Sequence, residues 1–148
     1  RLTAFATAGA APYFSGMSDT QELTRNQHLV LGALSAATGP LSAYGILDRV
    51  REDGIKAPLQ IYRALDKLVE LGLAHRLESL NAFVACAHAH AAHQGLAAFA
   101  ICESCGRVDE FADDVVEARL AAWSEGTGFE TDRTTIEIRG HCKACAAR

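Results

Sequence analysis

The sequence predicts an α+β protein, with an N-terminal winged helix-turn-helix followed by a small C-terminal α/β domain. Three observations predict it. Three helix-length amphipathic stretches, each closed by glycine, run from Leu23 to Gly72. Two short extended runs then flank "ESLN". Finally, two C-x-x-C pairs enclose a strand–helix–strand pattern.

The elements follow in order. "LTRNQHLVLGALSAATG" starts with Thr24 and Gln27 in capping-box spacing, and Leu29, Val30, Ala33 and Leu34 form its apolar face before Gly39-Pro40. In "LSAYGILDRVREDG", Ser42 is the expected cap, Ile46, Leu47 and Val50 the buried face, and Gly54 the stop. "LQIYRALDKLVELG" places Ile61, Leu65, Leu68 and Val69 on one side and ends at Gly72. The runs on either side of "ESLN" read as a β-hairpin, the wing. Beyond the His-rich "VACAHAHAAHQG", the runs "LAAFAIC" and "RVDEFA" read as strands around a first C-x-x-C knuckle. "DDVVEARLAAWSEGTG" is a helix starting at Asp113 or Asp114, with Val116, Leu120 and Trp123 along one face, and "FETDRTTIEIRGHC" is a strand leading to the second knuckle. The expected division is an extension over residues 1–22, a winged helix over 23–84, a connector over 85–96 and a metal-binding domain over 97–148.

Composition narrows the class. A hydrophobic content of 49% with 22% charged residues suits a globular chain, and no apolar run approaches the ~20 residues of a membrane span. The opening "RLTAFATAGAAPYFSG" has the small residues of an export signal, but Thr, Gly and Pro break its apolar stretch. Export is therefore not expected, and residues 1–16, which precede the sole methionine Met17, are set apart from the fold. Residues 1–82 carry 8 basic against 8 acidic side chains, and residues 83–148 carry 6 against 10. Such an acidic second half argues against generic coating of phosphates. If the first half binds DNA, it does so through shape and a few placed contacts.

All five cysteines are accounted for by Cys86 and the pairs Cys102/Cys105 and Cys142/Cys145. An odd count fits poorly with a disulfide framework and well with thiolate ligation in a reducing cytoplasm. Two C-x-x-C turns can close a tetrahedron around zinc at ~2.3 Å per sulfur, stapling the C-terminal strand to the first knuckle. A redox motif of the thioredoxin kind would open a helix, whereas Gly106 and a strand-like run follow the first pair.

A looser constellation joins His75 in the wing, Cys86 just after it, His88, His90 and His93 in the connector, and Glu110 after the first knuckle. Taken singly, these are a solvent-facing histidine, a small core cysteine and a solvated tract. Together they lie at the hinge between the two halves, where a mixed N/S/O set is good zinc chemistry and would fix the angle between them. The third helix carries another candidate site. Tyr62 and Arg63 sit near its N-terminal half, where a recognition helix meets base edges. Arg63 could reach a guanine and Gln60 an adenine, with Lys56 and Arg76 on phosphates. The bland alternative packs Tyr62 in the core and leaves Arg63 a surface charge.

"KAPLQIYRALDKLVELGLAHRLES" resembles helix 3 and the wing of the ferric uptake regulator family, and the two C-x-x-C pairs resemble that family's structural zinc site. Within the family the resemblance is to the zinc uptake regulators, through His75 in "LAHRLES", Cys86 in "NAFVAC" and Glu110 in "CGRVDE". It extends from about Leu23 to Cys145. The resemblance implies a homodimeric, zinc-dependent repressor whose winged helix binds operator DNA and whose C-terminal domain dimerises. It implies two zinc ions per subunit: a structural one on Cys102, Cys105, Cys142 and Cys145, and a sensing one on His75, Cys86, Glu110 and a connector histidine. That histidine is His93, with His90 and then His88 as alternatives, because the connector departs in length from the family pattern. Tyr62 and Arg63 match the family's base-contacting pair, while Gln60 stands where members often have Thr or Ser. His141 is expected beside the structural site rather than in it.

Two other readings are kept in view. One is a member of the same family answering iron, manganese or peroxide, which Cys86 argues against, since harder ions prefer N/O donors. The other is a zinc-stapled interaction module without a DNA role. An enzyme is not expected: neither H-E-x-x-H nor a deaminase H-x-E with P-C-x-x-C occurs. Nor is a membrane or a small-molecule substrate.

Overall fold

The computed structural model describes residues 22–87 and 96–147. Helix α1 (Arg25–Ser35) is capped as expected, with Thr24 Oγ1 accepting the Gln27 N–H and Gln27 Oε1 accepting the Thr24 N–H. It stops at Ser35, earlier than the Gly39-Pro40 signal, and the chain then turns into α2 (Ala43–Val50). Ser42 caps α2 through the Gly45 N–H at 3.0 Å. Pro58 opens α3 (Pro58–Glu70), where a missing N–H costs nothing, and Gly72 at φ +70° follows its end.

The three helices close over one apolar cluster. Val30, Leu34, Ile46, Leu47, Val50, Ile61, Leu65 and Leu68 are among its buried members, joined by Phe83 of the wing. The wing pairs β1 (Ala74–Leu77) with β2 (Ala82–Ala85) antiparallel, His75 opposite Val84. A single 3-10 turn over Glu78–Leu80 and the left-handed Asn81 (φ 46°) join the strands. A two-way backbone bridge between Leu41 and Phe83, at 2.9 and 2.8 Å, ties the wing back to the start of α2.

The second lobe is a three-stranded sheet in the order β4–β3–β5, built from β3 (Leu96–Cys102), β4 (Val108–Phe111) and β5 (Thr134–Gly140). β3 and β4 form an antiparallel hairpin, whereas β5 returns parallel to β3 after a crossover that contains α4 (Asp114–Thr127). Asp113 caps α4 through the N–H groups of Val115 and Val116, both at 3.0 Å. The parallel register sets Cys102 opposite Gly140, so both cysteine knuckles emerge at the same end of neighbouring strands. A short helix, α5 (Lys143–Ala146), carries the last cysteine.

A second buried cluster lies where the lobes meet. Leu77, fully buried, comes from the wing and packs with Ala97, Phe99 and Ile101 of β3. The expected face of α4 finds no such cover: no residue of this helix is buried in the single chain, and Trp123 and Ile138 remain 57% and 54% exposed. Among the described residues, no helix is long and apolar enough to cross a membrane.

Candidate metal centres and nucleic-acid interface

The β3–β5 register brings the four knuckle cysteines together. Their sulfurs all lie within 4.8 Å of one another, and Cys105 Sγ stands 3.8 Å from Cys142 Sγ. That spacing matches the edge of a sulfur tetrahedron with ~2.3 Å metal–sulfur bonds, roughly 3.8 Å, and far exceeds a disulfide. Each knuckle closes on itself: the Gly106 N–H donates to Cys102 O and the Cys145 N–H to Cys142 O, both at 2.9 Å. Backbone donors also converge on one sulfur, with the Cys142 N–H 3.3 Å from Cys102 Sγ. This donor, aided by the N–H groups of Cys105 and Ser104, holds the Cys102 thiol down at about 5. Cys145 is pushed up to about 12 because its proton is shared towards the sulfurs of Cys142 and Cys105. A set that carries one ready thiolate among crowded sulfurs suits a thiophilic dication. His141 is not among these donors; its Nδ1 lies 2.9 Å from Ser104 Oγ at the exposed rim.

The second centre lies across the lobe boundary. His75 on β1, Cys86 just past β2 and Glu110 on β4 present one nitrogen, one sulfur and one oxygen within 4.8 Å of one another. His75 Nε2 is 3.5 Å from Glu110 Oε1, and Cys86 Sγ is 3.8 Å from the same oxygen. The Cys86 N–H continues the wing ladder to Leu73 O at 2.9 Å, which fixes where its backbone sits. Glu110 Oε2 accepts the Ala87 N–H at 2.9 Å, and its side chain is only 5% exposed. The His75 ring leans on Phe99, with centroids 5.2 Å apart. This is a shielded pocket of three different donor atoms, and the chemistry of the set fits zinc better than a hard cation. His88, His90 and His93 lie outside the described residues.

Two contributors carry no sequence signal. The Ala87 N–H that orients Glu110 is a backbone group, and Phe99 reads in the sequence as one more apolar strand residue.

The face expected to meet nucleic acid is less enclosed. Tyr62, 41% exposed, and Arg63 both point outward from α3, as does Leu59 beside them. Lys56 is exposed just ahead of the helix. Gln60 is exposed too, though its Oε1 reaches back to the Ala57 N–H at 3.4 Å and helps start the helix. Arg76 lies on the wing, its Nε 3.1 Å from Glu78 Oε1 and its guanidinium stacked over Phe83.

Comparison with known proteins gives a consistent picture. The model of the ferric uptake regulator family matches residues 21–139. The zinc uptake regulation protein of Escherichia coli (strain K12) is 38% identical over 124 residues, covering 83% of this chain and 72% of the relative. Among solved structures, the crystal structure of holo XcZur is 42% identical with a TM-score of 0.77, covering 85% of this chain and 87% of that one. A zinc uptake regulator complexed with zinc and DNA is 35% identical, also at a TM-score of 0.77, covering 85% and 84%.

Proposed function

The chain belongs to the ferric uptake regulator family, and we propose that it is a zinc-responsive transcriptional repressor that binds operator DNA as a homodimer and controls zinc uptake genes. The observation that carries this reading is the mixed donor set of His75, Cys86 and Glu110, drawn from both sides of the lobe boundary. His75 lies on the wing, Cys86 immediately after it and Glu110 on the sheet, so the three donors meet only when wing and sheet face each other. Zinc bound there supplies a double positive charge that favours that orientation. One connector histidine, His93 before His90 and His88, completes the site.

In this reading Cys102, Cys105, Cys142 and Cys145 hold a second, structural zinc, which makes two per subunit. Both donor sets are then filled by protein side chains, the arrangement of a regulator rather than an enzyme. Tyr62, Arg63 and Gln60 address base edges, and Lys56 and Arg76 address phosphates. Residues 23–84 form the DNA-binding domain, 85–96 the connector and 97–148 the dimerisation domain, with 1–22 outside both. The similarity to a zinc uptake regulator complexed with zinc and DNA supports the two ligands. The open face of α4 and the position of β5 at the sheet edge support a second copy of the chain.

The test is a titration of duplex binding against Zn²⁺, Fe²⁺ and Mn²⁺, using genomic fragments as probes. Fragment-specific binding that rises with Zn²⁺ at far lower free metal than with the others is the expected result. A response to Fe²⁺ or Mn²⁺ alone overturns the zinc assignment, and the absence of any duplex preference overturns the DNA role.

A further inference from the structure

The two lobes are joined at points besides the metal centre. Glu137, on β5, accepts the backbone N–H groups of Glu78 and Ser79 at 2.6 and 3.1 Å, one on each carboxylate oxygen. Both amides belong to the turn at the tip of the wing. Burial alone would raise this carboxyl, but the Ser79 hydroxyl and the two N–H groups outweigh it and hold it below the usual carboxylate value, with Arg139 adding to the effect. Four residues earlier, Arg133 Nη2 donates to Val69 O at 3.2 Å, near the C-terminus of α3, where a cation also meets the negative end of the helix. The middle of the second lobe's last strand therefore grips the wing tip, and the residue just before its start grips the recognition helix.

Between these grips the boundary is not tightly packed. A hollow of about 330 Å³, lined by Asp66, Val69, His75, Arg76, Arg133 and Thr135, separates them. Apolar contact there comes from the buried Leu77 and the partly buried Val84 of the wing against Ala97, Phe99 and Ile101. The polar contacts of Glu137 and Arg133 lie outside that cluster and add to it.

We propose that Glu137 is a positioning residue which, with Arg133, clasps the winged lobe in the orientation that lets His75 and Cys86 reach Glu110, and so sets how strongly zinc at that centre is coupled to duplex binding. This rests on the zinc-responsive reading given above. A residue that stabilises the orientation preferred by both the metal and the DNA raises both affinities without touching either.

The experiment compares wild type with Glu137→Ala and Glu137→Gln. Three quantities are read: zinc affinity of each site by competition with a chromophoric chelator, amide exchange at Glu78 and Ser79, and zinc-dependent binding of a duplex selected from a random pool by wild type. Glu137→Ala is expected to weaken zinc at the His75 centre and duplex binding about tenfold each, with the four-cysteine zinc unchanged and both amides exchanging faster. Glu137→Gln, which keeps one carbonyl acceptor, is expected to recover part of each loss. Faster exchange with both affinities unchanged overturns the proposal and leaves Glu137 a local turn cap. If Glu137→Ala does not fold, Arg133→Ala is read on the same arms, with smaller shifts expected in the same direction and unchanged affinities again overturning the proposal. If wild type shows no zinc-dependent duplex binding, the functional reading fails, while chelator competition and amide exchange still decide the clasp.

Discussion

Glu110 and Ala87 are joined across the lobe boundary by a 2.9 Å hydrogen bond from the Ala87 N–H to Oε2, one residue beyond Cys86. The segment that delivers the thiol therefore also orients the carboxylate. Cys86 and Glu110 are coupled before any metal arrives, which lowers the cost of assembling the site.

That coupling makes Cys86 the most informative single substitution. Cys86→Ser removes the soft donor while preserving size and the backbone bond to Leu73. Zinc content is expected to fall by one ion per chain, and zinc-dependent duplex retention in a gel-shift titration to disappear. The circular dichroism spectrum and dimer mass should stay those of wild type. Undiminished zinc dependence would rule Cys86 out as a ligand.

On α3, the roles of Arg63 and Lys56 differ in kind and can be separated by salt. Arg63→Ala should cost ~1–3 kcal/mol and relax preference at one base position, as expected for a bidentate contact. Lys56→Ala should weaken all duplexes alike and reduce the slope of log affinity against log salt by about 1. Equal effects of the two in selection from a random pool would argue against base readout by Arg63.

The exposed apolar residues of the second lobe predict its oligomeric state. Ile138→Glu on β5, or Trp123→Glu on α4, places a charge on surface that is now uncovered in the single chain. Sedimentation at micromolar concentration is expected to shift from dimer towards monomer, with the four-cysteine zinc retained. A wild-type protein that sediments as a monomer would remove the basis for this prediction.

Leu77→Ala tests the apolar contact between the lobes. Truncating this buried side chain should cost roughly 2–5 kcal/mol, read as a lower midpoint of urea unfolding. Near-UV signals from the second lobe should change with those of the first, since Leu77 belongs to the wing in sequence and to the sheet in packing. Unfolding in two well-separated steps, with only the first moved, would mean that the contact does not couple the lobes.

Much of this fold is written locally. Thr24, Ser42 and Asp113 act as helix caps through their own side chains, and the wing follows from two extended runs around one turn. The knuckle geometry was legible for the same reason, because each C-x-x-C pair determines its own turn. What sequence spacing could not carry were the relations between distant segments. Leu77 looks like any inward strand residue, and nothing near it names Phe99 as its neighbour. Glu137 reads as an outward polar residue of an alternating strand, yet it meets amides 58 and 59 positions earlier. The face of α4 was legible as apolar, but periodicity does not say whether its cover comes from the same chain or another.

The parallel pairing of β3 with β5 has a consequence for the order in which the molecule assembles. The winged lobe and the β3–β4 hairpin draw on neighbouring residues and can form as they are synthesised. β5 cannot, because its partner lies before α4 and the intervening chain must be closed into a loop first. Ligation of Cys142 and Cys145 to the waiting pair at Cys102 and Cys105 would hold that loop shut. Because Glu137 lies on β5 and Arg133 just before it, the lobes gain these two polar contacts only at this last step. Chains lacking that ligation would keep a folded winged lobe beside an unfinished sheet, exposed to proteases at the C-terminal end first.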